Sequence, residues 1–190
     1  MKKTFLLLVV FCALVVSANA QKFKPKASFL EGQRLFSVEF DFNGFTLDGD
    51  SQEDFIKERL EDQETDQEKN EWTENWKKGP EKWIEVFMKD ANSTAGSICK
   101  FKQETESEYT IHVKILDIDP GNFAGPFSNP AKIDAIVTIT KTGSDEVLTT
   151  AVFDDVYSSI GLTPIETNRI AVSFGTFGDD VASLVAGAVE

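Results

Sequence analysis

The chain has a single histidine, His112, and only two cysteines, Cys12 and Cys99, in 190 residues. A tetrahedral metal site of the histidine–cysteine type needs more ligands than that. Basic residues are scarce too: 19 Lys and Arg stand against 32 Asp and Glu, a net charge of −13. With no basic surplus to displace counterions, nucleic acid is excluded as a partner, and anionic membrane surfaces repel the chain. Long apolar runs are missing apart from one at the N-terminus, so no membrane span is expected. No phosphate loop or dinucleotide fingerprint occurs, so no cofactor is expected. No nucleophile-elbow glycine pattern surrounds any serine. No repeat and no domain linker interrupts the chain.

What is present fits a globular protein: hydrophobic residues make up 41% and charged residues 27% of the chain, and the length favours one domain. Lys2 and Lys3 precede an unbroken apolar run, Phe5 to Val16, and Ala18-Asn19-Ala20 follows. A charged start, an apolar core too short to span a bilayer and small residues at the recognition positions make residues 1–20 an export signal, cleaved before Gln21. Cys12 lies inside the apolar core and not at the cleavage point, which argues against a lipid anchor. Loss of Lys2 and Lys3 takes the net charge from −13 to −15. Cys99 is then the lone thiol, so an intramolecular disulfide is impossible.

The remainder divides into a lead-in segment, 21–32, and one domain, 33–190. Residues 33–42 alternate, with Phe36, Val38, Phe40 and Phe42 on one face, which predicts a strand. Ser51 with Asp54 marks a helix start. From Glu61 to Glu71 there is no apolar side chain: Glu61, Asp62, Glu64, Asp66, Glu68 and Glu71 face Lys69 alone, so this stretch is a solvated helix face or a loop. Trp72 and Trp76 share a helical face. Gly79-Pro80 restarts the helix, and Trp83, Ile84, Phe87 and Met88 give it one buried face. Residues 97–103 and 108–116 read as two strands, and 117–130, with three prolines and two glycines, as an irregular loop. Residues 131–142 and 147–156 form a hairpin. Thr163-Pro164-Ile165-Glu166 predicts a capping box opening a C-terminal helix, with Ile170, Phe174, Phe177, Val181, Leu184 and Ala188 on one stripe; a strand over 170–174 is the competing reading. The order β-α-α-β-β-β-β-α describes an α+β domain with helices packed on a mainly antiparallel or mixed sheet.

Three groups invite chemistry. Acids at alternate positions from Asp48 suggest a calcium loop, but its sixth and twelfth positions hold Glu53 and Arg59 in place of Gly and Glu; a helix cap explains them better. Cys99 and His112 make a thiol–imidazole dyad only if their strands pair out of parity, since Cys99 sides with apolar Phe101 and His112 opposes Ile111 and Val113; a buried, inert thiol is the better reading. Acid pairs for glycoside chemistry are too easily found among so many carboxylates to be informative. Binding residues are better candidates. Trp72, Trp76 and Trp83 with the nearby acids form either sheet cover or a sugar-stacking or partner-binding platform; in the partner-binding form, Glu64, Asp66 and Glu68 beside Trp72 and Trp76 make an electrostatic landing site for a basic protein or peptide. Phe123 and Phe127 in the Pro/Gly loop form a second binding candidate.

Phe40-Asp41-Phe42, Leu47-Asp48-Gly49 and Glu53-Asp54-Phe55-Ile56 together resemble the opening of a group of secreted proteins of Gram-negative gut anaerobes. The strand ending Leu116-Asp117-Ile118-Asp119-Pro120-Gly121-Asn122, the hairpin 131–156 and the small-residue C-terminal helix are similar in layout to envelope domains of the TolB N-terminal and curli-assembly lipoprotein type. The resemblance implies a layered envelope domain that binds other proteins or assembles, and it brings no catalytic residues. The lack of an anchor cysteine departs from the lipoprotein pattern. The function expected is a non-catalytic exported binding or accessory module, periplasmic or extracellular; the alternative is a hydrolase using a carboxylate pair, on glycans. Mass measurement of the protein exported from a Gram-negative host should give a chain beginning at Gln21, and retention of residues 1–20 or an acylated product would contradict the leader.

Overall fold

The apolar alternation of the strands and the heptad-like stripes of the helices have to be buried against each other, and a computed structural model shows how. It describes residues 21–158 and 163–190; the leader expected at residues 1–20, with Lys2, Lys3 and Ala18-Asn19-Ala20, lies outside the described residues. The elements run β1 (Leu35–Asp41), β2 (Thr46–Leu47), α1 (Gln52–Glu61), α2 (Asp66–Lys77), α3 (Gly79–Ala95), β3 (Lys100–Lys102), β4 (Tyr109–Asp119), β5 (Lys132–Lys141), β6 (Val147–Tyr157) and α4 (Glu166–Val189). The sheet has the order β3-β1-β4-β5-β6, with β2 pairing β4 beyond the end of β1. β1 is parallel to both β3 and β4, while β4–β5–β6 is antiparallel. The protein is therefore α+β with a mixed sheet, in the expected order plus the two-residue β2 and a third helix in the 51–95 region.

One sheet face is dry. Phe36, Val38, Ile111, Val113, Ile115, Ile133, Val137, Ile139 and Phe153 are all buried there, beneath α3 and α4. The other face carries rows set by the register, such as Glu39–His112–Thr138 and Asp41–Lys114–Ile136–Val152, exposed or half-buried. Period-two alternation thus separates a core face from a wet face, as expected for a sheet covered on one side.

The helix layer is held by aromatic rings. Trp83 of α3 stacks on Phe174 of α4 at 5.6 Å, Phe87 meets Phe177 edge-on at 5.2 Å, and Phe177 in turn meets Phe153 of the sheet at 5.0 Å. Such pairs add about 0.5–1.5 kcal/mol each beyond their buried area. The fully buried Trp83 donates its indole N–H to the Thr167 carbonyl at 3.0 Å, so its one polar atom is satisfied. Gly178 makes this approach possible: a Cβ there would collide with the Phe87 carbonyl oxygen, and one at Gly175 with the Asp90 carboxylate. The glycines weaken α4 as a helix and bring it onto α3.

Three sequence expectations need correction. The run 97–103 does not pair with 108–116; β3 pairs with β1, and β1 lies between them. Helix α3 carries the chain from β1 to a parallel neighbour, a connection that apolar alternation does not reveal. The Thr163–Glu166 capping box does not form: α4 begins at Glu166, Ile165 occupies the cap, and no side chain bonds there. The competing strand over 170–174 is helical, inside α4. The acidic stretch splits, Glu61 ending α1 and Asp66 opening α2, where a capping box does form between Thr65 and Glu68. The lead-in segment supplies Phe23, Ala27 and Leu30 to the core.

Both sheet edges are short or occupied. β3 has three residues, flanked by exposed Lys100 and Lys102. On the other edge Lys24 exchanges two backbone hydrogen bonds with Thr150 of β6, at 2.9 and 3.1 Å, and Asp155 adopts left-handed backbone, φ 52°.

Two substitutions in α4 should move stability in opposite directions. Gly178→Ala should destabilise by about 1–3 kcal/mol through forced separation of the helices. Gly187→Ala, with open space around it, should stabilise by about 0.5–1 kcal/mol. Denaturant midpoints followed by far-ultraviolet circular dichroism would measure both; equal shifts of one sign would refute the close-packing account.

Candidate functional site

Two of the predicted binding residues, Glu68 and Trp72, line a cleft at the start of α4. Arg169, one turn into that helix, is 6% exposed. Its Nε donates to the Pro120 carbonyl at 3.0 Å. Nη1 donates to the Thr163 and Pro164 carbonyls at 2.8 and 3.1 Å, and Nη2 to that of Gly121 at 3.2 Å. Burial pulls its pKa down from the usual arginine range, opposed by the neighbouring Glu166 charge. A guanidinium matches this fan of acceptors because its donors lie in one rigid plane. The loop 117–130 is thereby fixed to the α4 N-terminus.

Glu166 is the second node. Its Oε1 accepts from Arg59 Nε at 3.1 Å and its Oε2 from the Trp72 indole N–H at 3.3 Å. Trp72 stacks on Trp76 with ring centres 5.3 Å apart and planes 8° from parallel. Trp76 in turn packs on Phe55 at 5.4 Å and Trp83 at 5.8 Å. The two tryptophans share a helical face, as their spacing predicts, but Trp76 belongs to the aromatic stack leading into the core, while Trp72 lines a cleft of about 380 Å³ together with Gln63, Asn75, Ile165 and Glu166.

The predicted acids divide similarly. Glu68 is spent on the helix start: its Oε2 accepts from the Thr65 backbone N–H and hydroxyl, both at 2.9 Å. Asp66 lies in the first turn of α2, where the helix dipole favours a negative charge. Glu64 and Asp66 are exposed.

Phe123 and Phe127 face solvent, 49% and 80% exposed. Their loop is nonetheless braced. Asn122 and Asn129 exchange backbone hydrogen bonds at 3.1 and 3.2 Å. The Ser128 hydroxyl accepts from the Ala124 N–H and donates to the Gly125 carbonyl, both at 2.8 Å. At Gly121, φ 63°, a Cβ would strike the backbone of Asn129 and Pro130.

Carboxylates gather beside the base of this loop. Burial raises the Asp48 pKa, the charges of Asp119, Asp117 and Asp50 raise it further, and Arg59 opposes them. Two of these acids shape turns: Asp117 accepts from the Thr46 hydroxyl and from the Gly49 N–H, and Asp119 from the Gly121 N–H at 2.7 Å. Among the described residues no group of three or more His, Cys, Asp or Glu side chains forms a metal site.

Cys99 and His112 are kept apart. Cys99 is buried, and burial pushes its thiol pKa up. His112 lies on the wet face, Nδ1 3.2 Å from Glu39 and Nε2 2.9 Å from the Thr140 hydroxyl. A second cleft, about 870 Å³, opens between residues 21–31 and the C-terminal half of α4, lined by Phe23, Ala27, Leu184 and Ala188 beside Asp180; burial and the Asp179 charge raise the Asp180 pKa.

Sequence reasoning did not find Arg59, Arg169, or the role of Glu166. One signal was present: Arg169 is the only cation after Lys141. No protein-family model matches the chain, and searches of curated proteins and of solved structures find no match. The structure defines a layered α+β domain with helices packed on a mixed sheet.

Native Cys99 should resist thiol reagents at neutral pH and react fully after denaturation. Rapid labelling of the folded protein would overturn the assignment of Cys99 as a buried apolar side chain.

Proposed function

We propose that this protein is an exported, non-catalytic binding or accessory module of the cell envelope, acting in the periplasm or outside the cell on a basic protein or peptide. Phe127 carries this reading: a large apolar ring, 80% exposed, on a loop fixed by its own hydrogen bonds and by Arg169. Leaving such a ring in water has no folding benefit, and holding it rigid lowers the entropy lost on docking. Phe123 widens the apolar tip, and residues 120–131 contain no charge. The carboxylates at the base of the loop and the exposed Glu64 and Asp66 give a basic partner complementary charge, which acts mainly on association rate. Export is supported by the charged, apolar and small residues of positions 2–20, and the resemblance of layout to envelope domains agrees with it.

The test places a photoreactive phenylalanine analogue at position 127 and, as a control, at exposed position 102, in protein exported from a Gram-negative host. A discrete adduct with a basic protein, specific to position 127, is expected. Phe123→Ser should weaken capture by at least about tenfold, as for a residue at the centre of an interface. Combined Glu64→Gln and Asp66→Asn should slow association, at a stability cost of at most about 1 kcal/mol from the start of α2, and the slowing should fade as salt rises. No adduct above the control at position 102 would refute the reading.

A further inference from the structure

We infer that the cleft over Trp72 is a binding site for a neutral saccharide unit, separate from the Phe123–Phe127 loop and independent of its partner. The ring of Trp72 is fixed twice, by the parallel stack on Trp76 at 5.3 Å and by its N–H to Glu166 at 3.3 Å. An aromatic surface held in one orientation by other side chains loses little freedom when a ligand lands on it. The part of the ring facing the cleft therefore offers a flat apolar platform with a polar surround.

The charges in the cleft decide the class of ligand. Arg169 spends its donors on four backbone carbonyls. Both Glu166 oxygens are engaged, one by Arg59 and one by Trp72. Glu68 closes the capping box of α2, and Glu71 accepts from Gln67 at 2.8 Å. An anion entering here meets Glu68 and Glu71, and a cation meets Arg59 and Arg169. An anion finds both guanidinium groups already beside Glu166. For a cation, the charges of Arg59 and Arg169 offset those of Glu68 and Glu71, which only neutral donors hold. Neither gains enough to offset its lost hydration.

Side-chain amides remain. Gln63 donates to the Arg59 carbonyl at 3.1 Å and keeps its oxygen, and Asn75 is exposed at the rim. An amide both donates and accepts, which is what a hydroxyl requires of its neighbours. A pyranose has the complementary shape, with an apolar C–H face to lie on an indole and hydroxyls around its edge. A volume of about 380 Å³ sits at the small end of ligand clefts, about 300–1,000 Å³.

The test titrates the purified exported protein with cellotetraose, maltotetraose and tetra-N-acetylchitotetraose, followed by tryptophan fluorescence and by nitrogen-15 spectra of the indole and side-chain amides. Tetralysine and citrate serve as charged counterparts. At least one tetrasaccharide should saturate, with shifts centred on Trp72, Gln63 and Asn75. Trp72→Ala should weaken that binding at least tenfold. Asn75→Ala, a change at an exposed position, should weaken it at least threefold with an unchanged unfolding midpoint, so the result does not depend on how well Trp72→Ala folds. Absence of saturation by all three sugars up to about 10 mM, beyond even millimolar affinity, would overturn the inference. So would saturation that Asn75→Ala leaves intact, or saturation of the same resonances by tetralysine or citrate and not by the sugars.

Discussion

The rest of the structure depends on the approach of α4 to α3 at Gly178. Two helices normally pack 8–10 Å apart, a spacing set by the side chains between them. Here a glycine faces a backbone carbonyl, and rings beside that point interlock: Trp83 with Phe174, and Phe87 with Phe177. The approach places Phe177 against Phe153 and so seats the helix pair on the sheet. Nearer the start of the same helix, Arg169 meets the loop from β4.

Arg169 anchors the segments that carry the two exposed surfaces of that end. The loop bearing Phe123 and Phe127 is anchored through the Pro120 and Gly121 carbonyls, and the segment leading into α4, which walls the Trp72 cleft, through those of Thr163 and Pro164. A buried guanidinium is costly to desolvate and costly to leave unpaired. Both segments are therefore held by the same buried charge through four hydrogen bonds.

Much of this was legible in the sequence where the information is local. The alternation of 33–42, the hairpin of 131–156 and the stripe from Ile170 to Ala188 each match one repeat period, and each element is present. The exposure of Phe123 and Phe127 followed from a segment with no period and many breakers. Strand neighbours were not legible: alternation tells which face a residue occupies and says nothing of which strand lies alongside, so β3 was matched to β4 when α3 delivers it to β1. Trp72 and Trp76 show the same limit at the level of a site. Their spacing placed both on one face, and only the fold separates the ring that joins the core stack from the ring that lines the cleft. Glu166 looked like half of a capping box because its offset from Thr163 fits one, but a carboxylate beside two guanidinium groups finds stronger partners.

The sheet edges have a consequence for how many copies of the protein remain independent of one another. An open strand edge is a template: its free amides and carbonyls accept any extended chain, and a row of identical copies is the most available source. β3 offers three residues, two of them lysines, and β6 is clipped by Lys24 at Thr150 and takes left-handed backbone at Asp155. Lateral growth by backbone pairing is therefore blocked at both ends. Any association of this domain would then have to be built from side chains and not from an added strand.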